Sequence, residues 1–342
     1  MQIALDEQRC LTPQSGASAA GYARGVDAQQ TYAAAGVSLA TAEAVVDRLR
    51  TAVASTRTPG VHGDFGAFAG LFALDGTRLL AASTDSVGSK LVLGRRAGRL
   101  RWCGADLAAH CINDVLTTGA EPLFFLDYVA ASTIEVEQVA ELVEGAAGVC
   151  RAAGCAILGG ETAELPGIYR EGELDFCGTA VGLVERERLV DGSRIEQGDV
   201  VLGLASAGIH ANGFSLVRRL VGEEPFDADL LLPPTRLYLD AVRELRGRAD
   251  VRGLAHVTGG GIAGNLERIL PEGLGAVVDP SAWERPEVFG WLAARGVGED
   301  ELRRVFNLGI GYCAVVPAAD VGPGDVVIGR VERGVEGVAW AA

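Results

Sequence analysis

The chain lacks the sequence devices of several common function classes. It has no Cys-x-x-Cys pair, so a structural zinc site is not expected. It has no run of about 18 apolar residues, which leaves no candidate membrane-spanning helix. It has no GxxxxGK[ST], GxSxG or HExxH, which excludes a P-loop, a hydrolase nucleophile elbow and a zincin helix. Positive charge is scarce: 30 Lys and Arg against 45 Asp and Glu give a net charge of -15. Such a chain has no general attraction for nucleic acid or anionic lipid. A phosphorylated ligand remains possible, held locally by backbone N–H groups, a few cations or a metal. Histidine is also rare, with four in 342 residues.

What is present is an ordinary globular composition, 49% hydrophobic and 22% charged, long enough for two domains. The seven cysteines are dispersed and mostly lie in apolar runs, the pattern of reduced, buried thiols in a cytoplasmic protein. Residues 1–30 show no basic segment followed by an apolar core and read as a flexible extension. Glycine is abundant, with 47 residues, many in short clusters where backbone turns tightly or approaches a ligand.

Hydrophobic periodicity predicts a helix over 40–53 and strands over 79–83, 123–130, 155–158 and 176–184. Helices are predicted over 105–118 and from 136 to 150, the second closed by Gly154. The charged, turn-rich stretch 185–199 marks a boundary, giving domains 31–185 and 186–342. Beyond it strands are predicted over 200–205, 254–257, 274–278 and 312–316, with helices including 235–245 and 286–294. Both halves are α+β, of mixed α/β-sandwich type.

Three features carry chemistry. Two apolar strands run into acidic, glycine-containing loops, one with Asp85 and Lys90, the other with Glu161 and Glu164. Carboxylates there suit Mg²⁺, and a lysine suits a phosphate. The helix over 105–118 places Asp106, His110, Asn113 and Asp114 on one face, which is either a solvent-facing stripe or part of a metal–phosphate site. Lastly, Thr258-Gly-Gly-Gly261 and Gly208-Ile-His-Ala-Asn-Gly213 join strands to helices, with His256 and His210 beside them. Such turns let an anion approach backbone N–H groups.

As a set, the ordered motifs resemble the aminoimidazole ribonucleotide synthetase family, also called phosphoribosylformylglycinamidine cyclo-ligases. They are Tyr32-Ala-Ala-Ala-Gly-Val37, the glycine-rich 63–70, Thr84-Asp-Ser-Val-Gly-Ser-Lys90 and Asp106-Leu-Ala-Ala-His-Cys-Ile-Asn-Asp114. Gly159-Gly-Glu-Thr-Ala-Glu-Leu-Pro-Gly167, the histidine loop from Gly208, His256-Val-Thr-Gly-Gly-Gly261 and Phe306-Asn-Leu-Gly-Ile-Gly311 follow in order. The resemblance implies ATP-dependent closure of an imidazole ring in purine biosynthesis, with Mg²⁺ as cofactor and ATP and a phosphoribosylated small molecule as ligands. It also implies a homodimer whose N-terminal sheets pair into a shared barrel.

By the same resemblance, Gly63, Asp64, Phe65, Gly66, Thr84, Asp85, Lys90 and Asp106 are expected to bind ATP. Asp85, Asp106, Asn113, Asp114 and Glu161 are expected to hold the metal. Lys90, His210 and His256 are the catalytic candidates, and Asn212, Thr258, Gly259, Gly260 and Gly261 the substrate-binding ones. The sequence departs from the family pattern at Asp64, Ser86 and Ser89, and at His110, where the family usually has Met. Other ATP-using members of the superfamily, of selenophosphate synthetase or thiamine-monophosphate kinase type, and a nucleotide-binding paralogue without turnover, are the alternatives. Apolar residues on both faces of 123–131 supply a physical motive for the dimer, because the domain's own helices cover only one face.

Overall fold

The computed structural model describes residues 30–37 and 39–341. The expected extension over 1–30 lies almost wholly outside the described residues. In the first half the elements are α1 (Leu39–Ala54), β1 (Val61–His62), β2 (Gly70–Ala73), β3 (Arg78–Ser86), α2 (Lys90–Arg96) and α3 (Leu100–Leu116). They continue with β4 (Glu121–Ala131), α4 (Val136–Ala153), β5 (Ala156–Glu164) and β6 (Leu174–Glu185). The second half holds β7 (Val200–Ala205), α5 (Phe214–Val221), α6 (Ala228–Leu231), α7 (Leu239–Arg248), β8 (Gly253–His256) and α8 (Gly261–Glu267). It ends with β9 (Leu274–Val278), α9 (Glu287–Ala293), α10 (Glu299–Val305), β10 (Ile310–Val316), β11 (Val327–Arg333) and β12 (Val338–Trp340).

Each half builds a six-stranded mixed sheet. The first runs β1-β2-β3-β6-β4-β5 and the second β12-β9-β11-β7-β10-β8. In the first sheet only β4 and β5 are parallel, joined by α4 as a βαβ crossover. The expected α/β architecture with two mixed sheets is therefore present.

Helix α3 occupies the centre. Fourteen of its 17 residues are buried. A helix buried all round must be covered on both sides. One side packs on the first sheet and α4. The other meets the second half, and Leu107, Ile112 and Val115 share one core with Tyr238, Val242, Leu254 and Tyr312. The polar stripe Asp106, His110, Asn113 and Asp114 thus faces protein, not solvent. Gly104 lets α4 approach closely, since a Cβ there would lie 1.9 Å from Leu142 O.

The other face of the first sheet is open. Leu123 and Leu126 on β4, Leu158 on β5 and Phe72 on β2 are exposed, whereas Phe125 points to the helices and is fully buried. Two local expectations need correction. Residues 159–164 are not a loop but the second half of β5, paired with β4. Residues 235–238 are not helical, because their N–H groups are drawn to side chains of the first half: Thr235 N to Asp106 and Tyr238 N to Asn113.

Candidate active site

The polar stripe of α3 meets β8, the histidine loop after β7 and the segment 233–238. Lys90, at the start of α2, is fully buried. Its ammonium lies 2.6 Å from Asp106 Oδ2 and donates to His210 O at 2.8 Å and Pro233 O at 3.1 Å. Of the three protons a lysine can donate, two go to these carbonyls, and the ammonium is held to the Asp106 carboxylate as an ion pair. Asp106 Oδ1 accepts from both Thr235 N and Thr235 Oγ1 at 2.7 Å. Burial pushes the Asp106 carboxyl upward, and Lys90 and Thr235 oppose this. In this arrangement the pair ties α2 and α3 to the second half. It does not present Lys90 to a phosphoryl group or Asp106 to a metal, as the sequence had led us to expect. Asn113 is likewise engaged at both ends, donating to Arg236 O and accepting from Tyr238 N.

At the next residue of α3, Asp114 Oδ1 lies 2.8 Å from His256 Nδ1, and its Oδ2 accepts from Ser83 Oγ at 3.0 Å. Burial lowers the His256 pKa, Asp114 opposing, so the ring is neutral at pH 7. His110 Nε2 lies 2.9 Å from Asp85 Oδ2, and the His110 and His256 rings stand edge to face at 4.8 Å. Burial disfavours a charge on His110, but Asp85, backed by Asp114 and Asp106, raises its pKa to about 9. The Asp85 carboxyl is correspondingly held below its ordinary value, His110 outweighing burial.

His210 sits in the loop after β7 at φ 65°, an uncommon conformation for a non-glycine residue. Its Nε2 accepts from Ala207 N at 3.1 Å. An accepting Nε2 places the proton on Nδ1, which is buried and has no partner. Burial, then coulombic coupling to His256 and the charge of Lys90, hold this ring well below the usual histidine pKa.

The Thr258 turn is organised by Asn265, whose amide donates to the carbonyls of Thr258, Gly259 and Gly261. Asn212 lies beside the turn: a Cβ on Gly259 would stand 3.5 Å from Asn212 Oδ1. Asn212, Thr258 and the three glycines are thus gathered at one place. The exposed loop with Gly63, Asp64, Phe65 and Gly66 approaches from the first half, and Arg268 donates to Gly66 O at 3.0 Å while lying over the Phe68 ring. Arg268, Asn265 and Tyr312, whose hydroxyl donates to Asn113 O, were not found from sequence. An Asn or Tyr in an apolar segment carries no local signal of what it bonds across the fold.

The remaining candidates are separated. Asp85 pairs with Gly178, Gly178 with Asp127 and Asp127 with Gly160, so Glu161 lies three strand spacings away, roughly 14 Å. Successive residues alternate faces, so Thr84 and Glu161 lie on the open face and Asp85 on the helix face. Thr84 Oγ1 meets Thr179 Oγ1 there at 2.8 Å.

Comparison with known proteins gives concordant results. The family described as AIR synthase related protein, N-terminal domain, matches residues 66–184, and its C-terminal domain matches 196–321. A Synechococcus sp. (strain CC9605) phosphoribosylformylglycinamidine cyclo-ligase is 46% identical over 326 residues, covering 90% of this chain and 93% of the relative. The Sorangium cellulosum protein of the same name is 49% identical over 305 residues, covering 84% and 88%. Among solved structures, an Aquifex aeolicus thiamine monophosphate kinase superposes with a TM-score of 0.59 at 16% identity, covering 89% and 98%. A hydrogenase maturation protein HypE gives 0.57 at 20% identity, covering 82% and 84%. These two likenesses show the fold alone.

Proposed function

The chain belongs to the AIR synthase related protein family, and we infer that it performs the cyclo-ligase reaction of purine biosynthesis. The terminal phosphoryl group of ATP passes to the formamide oxygen of formylglycinamidine ribonucleotide. The amidine nitrogen then attacks the activated carbon, phosphate leaves, and a nitrogen-bound proton is given up as the ring forms. The observation that carries this reading is 46% identity to a cyclo-ligase across nine-tenths of the chain.

The residues suit these steps. His256, neutral and fixed by Asp114, is the group able to accept the amidine proton. His210, neutral with its proton on Nδ1, is a donor for the developing oxyanion or leaving phosphate. The Thr258 turn and Asn212 supply backbone and amide groups for the ribose phosphate. The loop with Gly63 and Gly66 supplies backbone for ATP. Lys90 and Asp106 act as positioning residues, holding the His210 loop and Thr235.

Mg²⁺ suits the donor set only in part. Glu161 offers an exposed carboxylate and Asp85 a half-buried one already engaged by His110 Nε2 and Ser86 N, whereas Asp106 and Asn113 are consumed by internal partners. Mg²⁺ held by either Asp85 or Glu161 would offset charge on the triphosphate, but the two cannot share one ion. Since these two stand on opposite faces of one sheet, a second copy against the open face is proposed to bring its own acids to the nucleotide. Exposed Leu123, Leu126 and Leu158 support that homodimer and shared barrel. No helix among the described residues is long and apolar enough to cross a membrane. A cytoplasmic site of action and a domain division at 185–186 belong to the same proposal.

A single-turnover assay tests the reaction. With Mg²⁺, ATP and formylglycinamidine ribonucleotide, ADP and aminoimidazole ribonucleotide are expected in equal amounts. ADP formed without the imidazole product would overturn the reading and point to a kinase of the same fold.

A further inference from the structure

Among the described residues, one cluster of His, Cys, Asp and Glu side chains has metal-binding spacing: His110, Asp114 and His256, each offering one ligand atom within 4.8 Å of the others. All three are buried. The cluster lies where α3 meets β8, between the two sheets.

The hydrogen bonds define which atoms are free. His110 Nε2 is taken by Asp85 Oδ2 at 2.9 Å. With Nε2–H donated, Nδ1 is the atom left for a metal once its proton is displaced, and it is buried without any hydrogen-bond partner. A carboxylate fixing one nitrogen of an imidazole while the other is left open is the arrangement that orients histidine ligands at metal centres. Asp114 supplies the oxygen donor and is itself steadied by Ser83 Oγ. His256, whose Nδ1 shares a proton with Asp114 Oδ1 at 2.8 Å, supplies the second imidazole once an ion replaces that proton. Two imidazoles and a carboxylate form a borderline donor set, which suits Zn²⁺ and its neighbours and suits Mg²⁺ poorly.

We propose that His110, Asp114 and His256 form a Zn²⁺-type site in the interdomain cleft, with Asp85 orienting His110, distinct from the Mg²⁺ that accompanies ATP. His110 is the residue that makes it, for a Met at that position gives no such donor set. Without the ion, the neighbouring carboxylates retain a proton on His110 instead. With the ion, His256 loses the lone pair that the ring closure uses, so the loaded protein is the silent form. That last consequence rests on the cyclo-ligase reading, while the site itself does not.

The test uses binding as its readout. Chelator-stripped protein is dialysed against Zn²⁺ in excess Mg²⁺, and metal is measured per chain without nucleotide. One equivalent of Zn²⁺ is expected to be retained. His110→Met and His256→Gln should each weaken retention by at least about tenfold, the lower end of what losing a mere outer partner costs. Circular dichroism checks that the variants fold. If neither folds, cadmium NMR of the wild-type protein decides, since nitrogen–oxygen and sulfur ligation give separate shifts. Retention unchanged in both folded variants, sulfur-type shifts, or no Zn²⁺ held against Mg²⁺ would each overturn the site.

Discussion

Replacing Lys90 by Met is the sharpest probe of how the two halves are held together. Lys90 and Asp106 are both fully buried, and the lysine also serves the His210 and Pro233 carbonyls. Met retains most of the stem volume but leaves the Asp106 charge without its cation. Breaking a buried pair on one side costs about 3–5 kcal/mol. A chain of 342 residues unfolds with an entropy of roughly 0.7 kcal/mol per degree, so melting should fall by about 4–7 °C. The double variant Lys90→Met/Asp106→Leu removes both charges and should recover part of the loss. Recovery stays incomplete because Thr235 N–H and Oγ1 lose their acceptor. Calorimetry at pH 7 reads all three proteins. An unchanged melting temperature in Lys90→Met, with turnover abolished, would refute the clamp and return Lys90 to the phosphoryl group.

Other expectations concern pH, packing, metal and assembly. His110 is raised from 6.5 to about 9 on folding, so its contribution to stability is full below pH 6.5 and lost as pH rises through 9. His110→Met should flatten that alkaline decline when melting is followed at stepped pH in chelator. Gly104→Ala puts a Cβ 1.9 Å from Leu142 O and should cost about 1–3 kcal/mol in urea unfolding. A wild-type midpoint would mean that α3 and α4 can separate freely. Asp85→Asn should raise the Mg²⁺ concentration needed for half-maximal turnover and also lower melting at neutral pH, because His110 loses its anionic partner, and an unshifted Mg²⁺ curve removes Asp85 from the metal. Leu126→Asp, on the open sheet face, should give a folded monomer by light scattering, whereas a persistent dimer would place the interface elsewhere.

The order of strands and helices was legible because burial leaves a period in the sequence. The run over 123–131 announced a strand with two apolar faces, although it did not reveal that Phe125 belongs to the helix side and Leu126 to the open one. One register irregularity in β4, at Leu123 opposite β6, shifts that alternation, and a second lies in β5 at Leu158. The stripe on α3 was visible as a pattern. Its partners were not, since Thr235, Tyr238 and His256 are more than a hundred residues away in the chain. The glycine clusters signalled loops at 159–164, yet that backbone is strand. The acids Asp85 and Glu161 looked equivalent in sequence, each at a strand end. Only strand order and face parity put them apart.

Helix α3 is covered by the first sheet on one side and by α7, β8 and β10 on the other. The covalent join between the halves is therefore not what keeps them together. A protease that nicked the chain within 186–199 would release nothing: the pieces would migrate as one body until denaturant parted them. Expressed separately, the first half would carry a helix stripped of its second cover, and would be expected to aggregate until the other half was supplied in trans.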